Sequence, residues 1–110
     1  MNILILEDEQ RTALDLQATI RELEPDVIFT GVLDSVDAAV RYFKANPAPD
    51  LAFFDIQLAD GLSFDVFNEV EVPCPVIFCT AFDEYALQAF QVNSVDYILK
   101  PFDRQSLGRA

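Results

Sequence analysis

Five short apolar runs recur along the chain without internal alternation: Ile3 to Leu6, Val27 to Phe29, Leu51 to Phe54, Val76 to Cys79 and Tyr97 to Leu99. An unbroken run of branched and aromatic residues is how a strand buried on both faces of a parallel sheet reads. Between the runs the period changes to that of helices. Ala13, Leu16, Ile20 and Leu23 share one face, with Arg11, Asp15 and Glu22 on the other. Val36, Val40 and Phe43 repeat the stripe after Ser35, a suitable N-cap, and Pro47 and Pro49 close that element. Phe64, Phe67 and Val70 mark a short third helix after Gly61, Leu87 and Phe90 a fourth, and Asp103 caps a fifth. Alternation of strand and helix, opening with a strand, predicts an α/β domain whose single doubly wound parallel sheet carries helices on both faces. At 110 residues the chain has the size of one domain with one core. Periodicity leaves the strand order open.

Charge narrows the function classes. Nineteen acidic against seven basic residues give a net charge of −12, a field that opposes contact with nucleic acid or anionic membrane surfaces. The absence of histidine excludes histidine-ligated zinc and a Ser/His/Asp triad within the chain, so carboxylates must carry any chemistry. Cys74 and Cys79 would lie roughly 16 Å apart along an extended strand, too far for a disulfide, and are expected to stay reduced. No apolar run approaches the roughly 20 residues of a membrane span, and the amino terminus has neither a basic start nor a cleavage site. The expectation is a soluble, cytoplasmic protein.

In open α/β sheets ligands bind beyond the carboxyl ends of the strands. There the first run ends in Glu7 and Asp8, the third in Asp55, the fourth in Thr80 and the fifth in Lys100. At a spacing of ~5 Å and an effective dielectric of ~20, each carboxylate pair repels by ~3 kcal/mol. A hard divalent cation such as Mg2+, together with Lys100, would neutralise the three acids. A metal-bridged carboxylate beside a hydroxyl and an ammonium can accept a phosphoryl group, with Asp55 as the nucleophile. Singly, each residue has a plainer reading: Asp55 as a helix cap, Glu7 and Asp8 as solvated acids opening a helix, Thr80 as a strand end, Lys100 as a surface charge, Tyr97 as a half-buried strand residue. Asp34, Asp37, Glu69 and Glu71 read as a solvated surface; Phe43, Phe64, Phe67 and Phe90 read as core, with Tyr85 or Phe90 equally suited to a partner-binding face.

Four motifs in order, Ile3-Leu4-Ile5-Leu6-Glu7-Asp8-Glu9, Phe53-Phe54-Asp55-Ile56, Phe78-Cys79-Thr80-Ala81 and Asp96-Tyr97-Ile98-Leu99-Lys100-Pro101-Phe102, resemble the receiver domains of bacterial two-component response regulators. The stretches from Thr80 to Phe90 and from Val92 to Tyr97 are similar to receivers that precede LytTR-type DNA-binding domains. The resemblance runs from Asn2 to Asp103 and implies a flavodoxin-like sheet of order 2-1-3-4-5. It implies Asp55 as phosphoacceptor and Glu7, Asp8, Asp55 and the backbone carbonyl of Gln57 as ligands to Mg2+. It further implies phosphoryl contacts from Thr80 and Lys100, a cis peptide before Pro101, and a switch through Thr80 and Tyr97. The implied phosphodonor is a sensor histidine kinase. The implied output is a face of fourth helix, fifth strand and fifth helix that can pair two copies, and regulation, of transcription, through a domain absent from this chain. Residues 1–110 would then be one receiver domain with its last helix cut short. The sequence departs from the family's pattern at Ala59, Asp60 and Gly61, where Asp60 is expected to add a charge near the site, and at Glu7, which replaces the commoner aspartate. Two other classes stay open. A haloacid-dehalogenase-type phosphatase would want a second aspartate where Gln57 stands, and a receiver-fold interaction module would signal without phosphorylation.

Overall fold

A computed structural model describes residues 1–80 and the strand 94–99. Among the described residues seven strands and three helices follow one another as β1 (Asn2–Leu6), α1 (Gln10–Leu23), β2 (Ile28–Leu33), α2 (Val36–Ala45), β3 (Leu51–Phe54), β4 (Gln57–Leu58), β5 (Gly61–Leu62), α3 (Phe64–Glu69), β6 (Val76–Thr80) and β7 (Ser94–Leu99). Five of them form one parallel sheet in the order β2-β1-β3-β6-β7, and β4 and β5 make a separate two-stranded hairpin. This is the expected doubly wound arrangement, with the third strand crossing over the first. The expected fourth and fifth helices, Lys100 and Pro101 lie outside the described residues.

The absence of alternation in the apolar runs has its cause in the packing. Successive strand residues point to opposite faces, and here both faces are covered. Ile3 and Ile5 pack with Leu16 and Ile20 of α1, together with Phe53, Ile77 and Cys79. Leu4 and Leu6 pack on the other face with Ala39 of α2, Phe54, Val66 of α3 and Phe78. Phe54 is the hub of that second cluster, its ring 5.8 Å from Phe67, 6.2 Å from Phe78 and 6.4 Å from Phe43. Cys74 and Cys79 are both buried and are not joined in a disulfide.

Two expectations are corrected. The second strand is not confined to Val27 to Phe29 but runs from Ile28 to Leu33. It lies at the sheet edge, so its faces are only half covered and its burial alternates, leaving Ile28 and Val32 61% and 44% exposed. An apolar-run criterion stops at Thr30 and Gly31. Leu23 was expected in the buried stripe of α1, yet it is 36% exposed: as the last residue of the helix it has no following turn to shield it. Among the described residues no helix is long and apolar enough to cross a membrane.

Candidate functional site

Register places the acids. Leu6 pairs with Phe54 as the last rung between β1 and β3, so Glu7 and Asp55 are the next residues out of two adjacent strands. The Asp55 amide donates to the Leu6 carbonyl at 2.8 Å and the Glu7 amide to the Leu33 carbonyl at 2.8 Å, which extends the ladder one step past the strands and fixes both backbones. Glu7 is buried, Asp55 half-buried and Asp8 exposed. One carboxylate oxygen from each lies within 4.8 Å of the others. Backbone donors meet two of them: the Ile56 amide reaches Asp55 Oδ1 at 2.8 Å and the Glu9 amide reaches Glu7 Oε2 at 3.3 Å. The amino terminus of α1 begins at Gln10, and its positive end lies next to the acids.

The donor set suits a small hard cation. Opposite oxygen ligands of a divalent ion held at about 2.1 Å stand about 4.2 Å apart, so oxygens within 4.8 Å of one another are close to the span of a single shared ion. The same proximity without a cation is repulsive by ~3 kcal/mol per pair at an effective dielectric of ~20, less where solvent screens Asp8.

The segment after Asp55 folds back on itself. Gln57, exposed and two residues past Asp55, opens β4 and pairs with Leu62, while Leu58 pairs with Gly61 across a two-residue turn. Gly61 has φ +147°, a backbone that residues with a Cβ rarely adopt, and a Cβ there would sit 3.0 Å from Asp65 Oδ2. Ser63 follows with φ −62° and ψ −20°, ordinary helical values, and is fully buried.

Asp60, expected to add a charge near the site, is not one of the three clustered acids; its carboxylate is engaged at the start of α2. Its Oδ1 accepts from the Val36 amide at 2.8 Å and its Oδ2 from the Asp37 amide at 3.1 Å, the first two amides of α2. These bonds, Val36 foremost, hold its carboxyl below the ordinary value of 3.8. Ser35 Oγ accepts from Ala38 at 3.0 Å, as its N-cap position predicts. Nothing in the local sequence couples residue 60 to residue 36, so only the tertiary fold discloses this role.

Thr80 is the last residue of β6 and its Cα partner is Leu99; Tyr97 pairs with Phe78 in the same ladder. The backbone of Thr80 therefore ends at the carboxyl edge, two strands from Glu7 through β3. A further feature escapes sequence reading. An open groove of about 450 Å³ runs from Glu7 and Asp8 between α1 and β2, past Leu14 and Val32. Leu14 is 56% exposed on the polar side of its helix, where a stripe-based reading assigns it no part.

Comparison with known proteins agrees with this geometry. The chain is 37% identical over 110 residues to the sensory transduction protein LytT of Bacillus anthracis, a match that covers 97% of this chain and 44% of that protein. It is 37% identical over 116 residues to the sensory transduction protein LytR of Streptococcus mutans, covering the whole of this chain and 46% of that one. The chain thus spans less than half the length of the curated relatives it matches. Among solved structures, the response regulatory domain of protein mrkE from Klebsiella pneumoniae superposes with a TM-score of 0.82 at 27% identity, over 97% of this chain and 88% of that one. The signal receiver domain of a modulated diguanylate cyclase from Desulfovibrio desulfuricans G20 gives 0.80 at 30% identity, over 98% and 87%. Residues 3–110 match the response regulator receiver domain as a family, and with the sheet order, the acidic edge and the LytT and LytR relatives all in accord, the chain belongs to that family.

Proposed function

We propose that this chain is a phosphorylation-dependent signalling switch in which Asp55 accepts a phosphoryl group from a sensor histidine kinase, with Mg2+ held at the acidic edge. Receivers are regulatory domains of two-component systems and generally not catalytic enzymes. The observation that carries it is the convergence of Glu7, Asp8 and Asp55, with oxygens within 4.8 Å of one another, at the carboxyl edge of a parallel sheet.

In this reading an Asp55 carboxylate oxygen attacks the phosphorus of a phosphohistidine, the P–N bond breaks with its electron pair returning to the imidazole, and an acyl phosphate forms. The Ile56 amide holds the Asp55 carboxylate by its Oδ1 during the approach. Glu7, Asp8, Asp55 and the backbone carbonyl of Gln57 would hold Mg2+, which supplies positive charge to the transferring phosphoryl oxygens. Burial of Glu7 keeps its carboxylate pointed at one place instead of sampling solvent. The Thr80 hydroxyl and Lys100 ammonium take the remaining phosphoryl oxygens. Movement of Thr80 toward the phosphate and of Tyr97 inward then shifts the population toward a second conformation, remodelling the face of fourth helix, fifth strand and fifth helix and favouring a homodimer. Residues 1–110 act as the phosphoacceptor domain, and the regulated output is a transcriptional domain outside this chain, in keeping with relatives more than twice its length. The chain works in the cytoplasm, and its charge of −12 keeps this domain itself off DNA and membranes.

Intact mass after incubation with Mg2+ and acetyl phosphate tests the reading. Wild type gains one phosphate, the gain disappears with chelator, and folded Asp55→Asn gains none. Uptake that persists in Asp55→Asn overturns the acceptor; no uptake by a folded wild type that binds Mg2+ favours an interaction module that signals without phosphorylation.

A further inference from the structure

We propose that Asp60 is a positioning residue for the acceptor loop: through the amino terminus of α2 it fixes the hairpin of residues 57–62 relative to the acidic cluster. The inference rests on the proposed phosphoacceptor reading for its consequence at the metal, and on geometry alone for its structural part.

The Asp60 side chain is exposed, yet both its oxygens are committed, to the Val36 amide at 2.8 Å and the Asp37 amide at 3.1 Å, across 24 and 23 residues of sequence. Helix α2 already has a local cap in Ser35, whose Oγ accepts from Ala38 at 3.0 Å. A second cap brought from so far along the chain is a tertiary link, and an ionised carboxylate at a helix amino terminus is a favourable one.

What the link holds is a hairpin of two residues per strand, too short to be stable alone. On the α3 side it is tied by the Ser63 amide to the Ile56 carbonyl at 2.7 Å and by the Leu62 amide to Asp65 Oδ2 at 3.3 Å. On the α2 side Asp60 contributes its two hydrogen bonds, beside the packing of Leu58 and Leu62 in the apolar cluster that includes Val36 and Val40. A closed circuit results. Leu6 binds Asp55, Glu7 binds Leu33, Leu33 leads through Asp34 and Ser35 into α2, and Asp60 returns from α2 to the loop that begins at Asp55. The backbone of Gln57, whose carbonyl the proposed metal site uses, is thereby referred to the same strand ends that set Glu7 and Asp8.

The test compares Asp60→Ala and Asp60→Asn with Ser35→Ala, which removes a cap from the same helix end without touching the hairpin. Hydrogen exchange of residues 56–63 is measured without metal, and Mg2+ affinity by amide-shift titration. In Asp60→Ala, exchange over 56–63 rises about fivefold or more and Mg2+ affinity falls about tenfold. Asp60→Asn, which retains one acceptor oxygen, lies between, and Ser35→Ala lowers the Tm but changes neither readout. Asp60→Ala and Asp60→Asn that both match Ser35→Ala in loop exchange overturn the proposal, as does faster exchange with undiminished Mg2+ affinity. A wild type that takes up no Mg2+ defeats the phosphoacceptor reading instead, and loop exchange then decides by itself whether Asp60 holds the hairpin.

Discussion

The amide of Asp55 donates to the carbonyl of Leu6 at 2.8 Å, so the candidate acceptor is carried by the sheet ladder itself and stands beside Glu7 at the end of the neighbouring strand. A carboxylate placed this way has little freedom to escape its like-charged neighbours, and the cluster is repulsive without a cation.

Asp8→Asn should therefore shift stability in opposite directions with and without metal. In chelator it relieves screened repulsion and stabilises the fold by about 1 kcal/mol. With Mg2+ at about 100 times its Kd, wild type gains about 2.7 kcal/mol from binding and the variant gains less. Thermal denaturation in the two buffers checks this: the order of the two Tm values reverses, and a variant less stable than wild type in both would count against a repulsive cluster.

Ser63 Oγ is fully buried and has no hydrogen-bond partner among the described residues. A hydroxyl in that position contributes its desolvation cost and no bond. Ser63→Ala is expected to leave stability unchanged or raise it by up to about 1 kcal/mol in urea unfolding; a loss of more than about 1 kcal/mol would reveal a bond the hydroxyl makes.

Sequence reading succeeded where one local rule and the tertiary environment agree. Ile3 to Leu6 reads as a doubly buried strand because both faces of β1 are covered, and Ser35 reads as a cap because its hydroxyl is spent within its own helix. The acids of the site were legible because they follow strand ends, and sheet topology brings strand ends together. Legibility failed where partners are remote or coverage is partial. Edge strand β2 alternates, so the run criterion found only its start, and the exposed Leu14 follows no stripe. The hairpin of Gln57–Leu58 with Gly61–Leu62 is too short for a period, and Asp60 finds its partners 24 and 23 residues back. Thr80 and Tyr97 are fixed only as backbone positions in the β6–β7 ladder.

Phe54 immediately precedes the acceptor candidate and touches three other rings. Phe54→Ala should cost about 3–5 kcal/mol through the cavity it opens, readable by urea unfolding. Phe54→Leu keeps most of the volume and should cost less, so equal losses in the two variants would argue that the ring contacts, and not the filled space, stabilise this side of the sheet.

Burial pushes the Cys74 thiol up to about 11, so at neutral pH it is protonated and shielded. In a Cys79→Ala background, iodoacetamide at pH 8 should leave native protein unmodified and label it promptly once urea unfolds it. Labelling of the native state at the rate of the unfolded chain would show that the segment before β6 opens readily.

The Asp60 carboxyl is held below its ordinary value of 3.8 by amides that exist as partners only in the folded state. A depressed folded value means that the unfolded chain takes up its proton first as pH falls. The contribution of the ionised cap is therefore complete above the ordinary value, shrinks as pH drops below it, and is gone once pH has passed the lower folded value. Asp60→Asn keeps an acceptor oxygen but cannot titrate. The stability difference between wild type and Asp60→Asn, measured by urea unfolding across a pH series, should be constant from neutrality down to about pH 5 and narrow below about pH 4. A difference that stays level through that range would show that the two amides bind a neutral acceptor as well as a charged one, leaving the charge of Asp60 without a part in fastening the hairpin to α2.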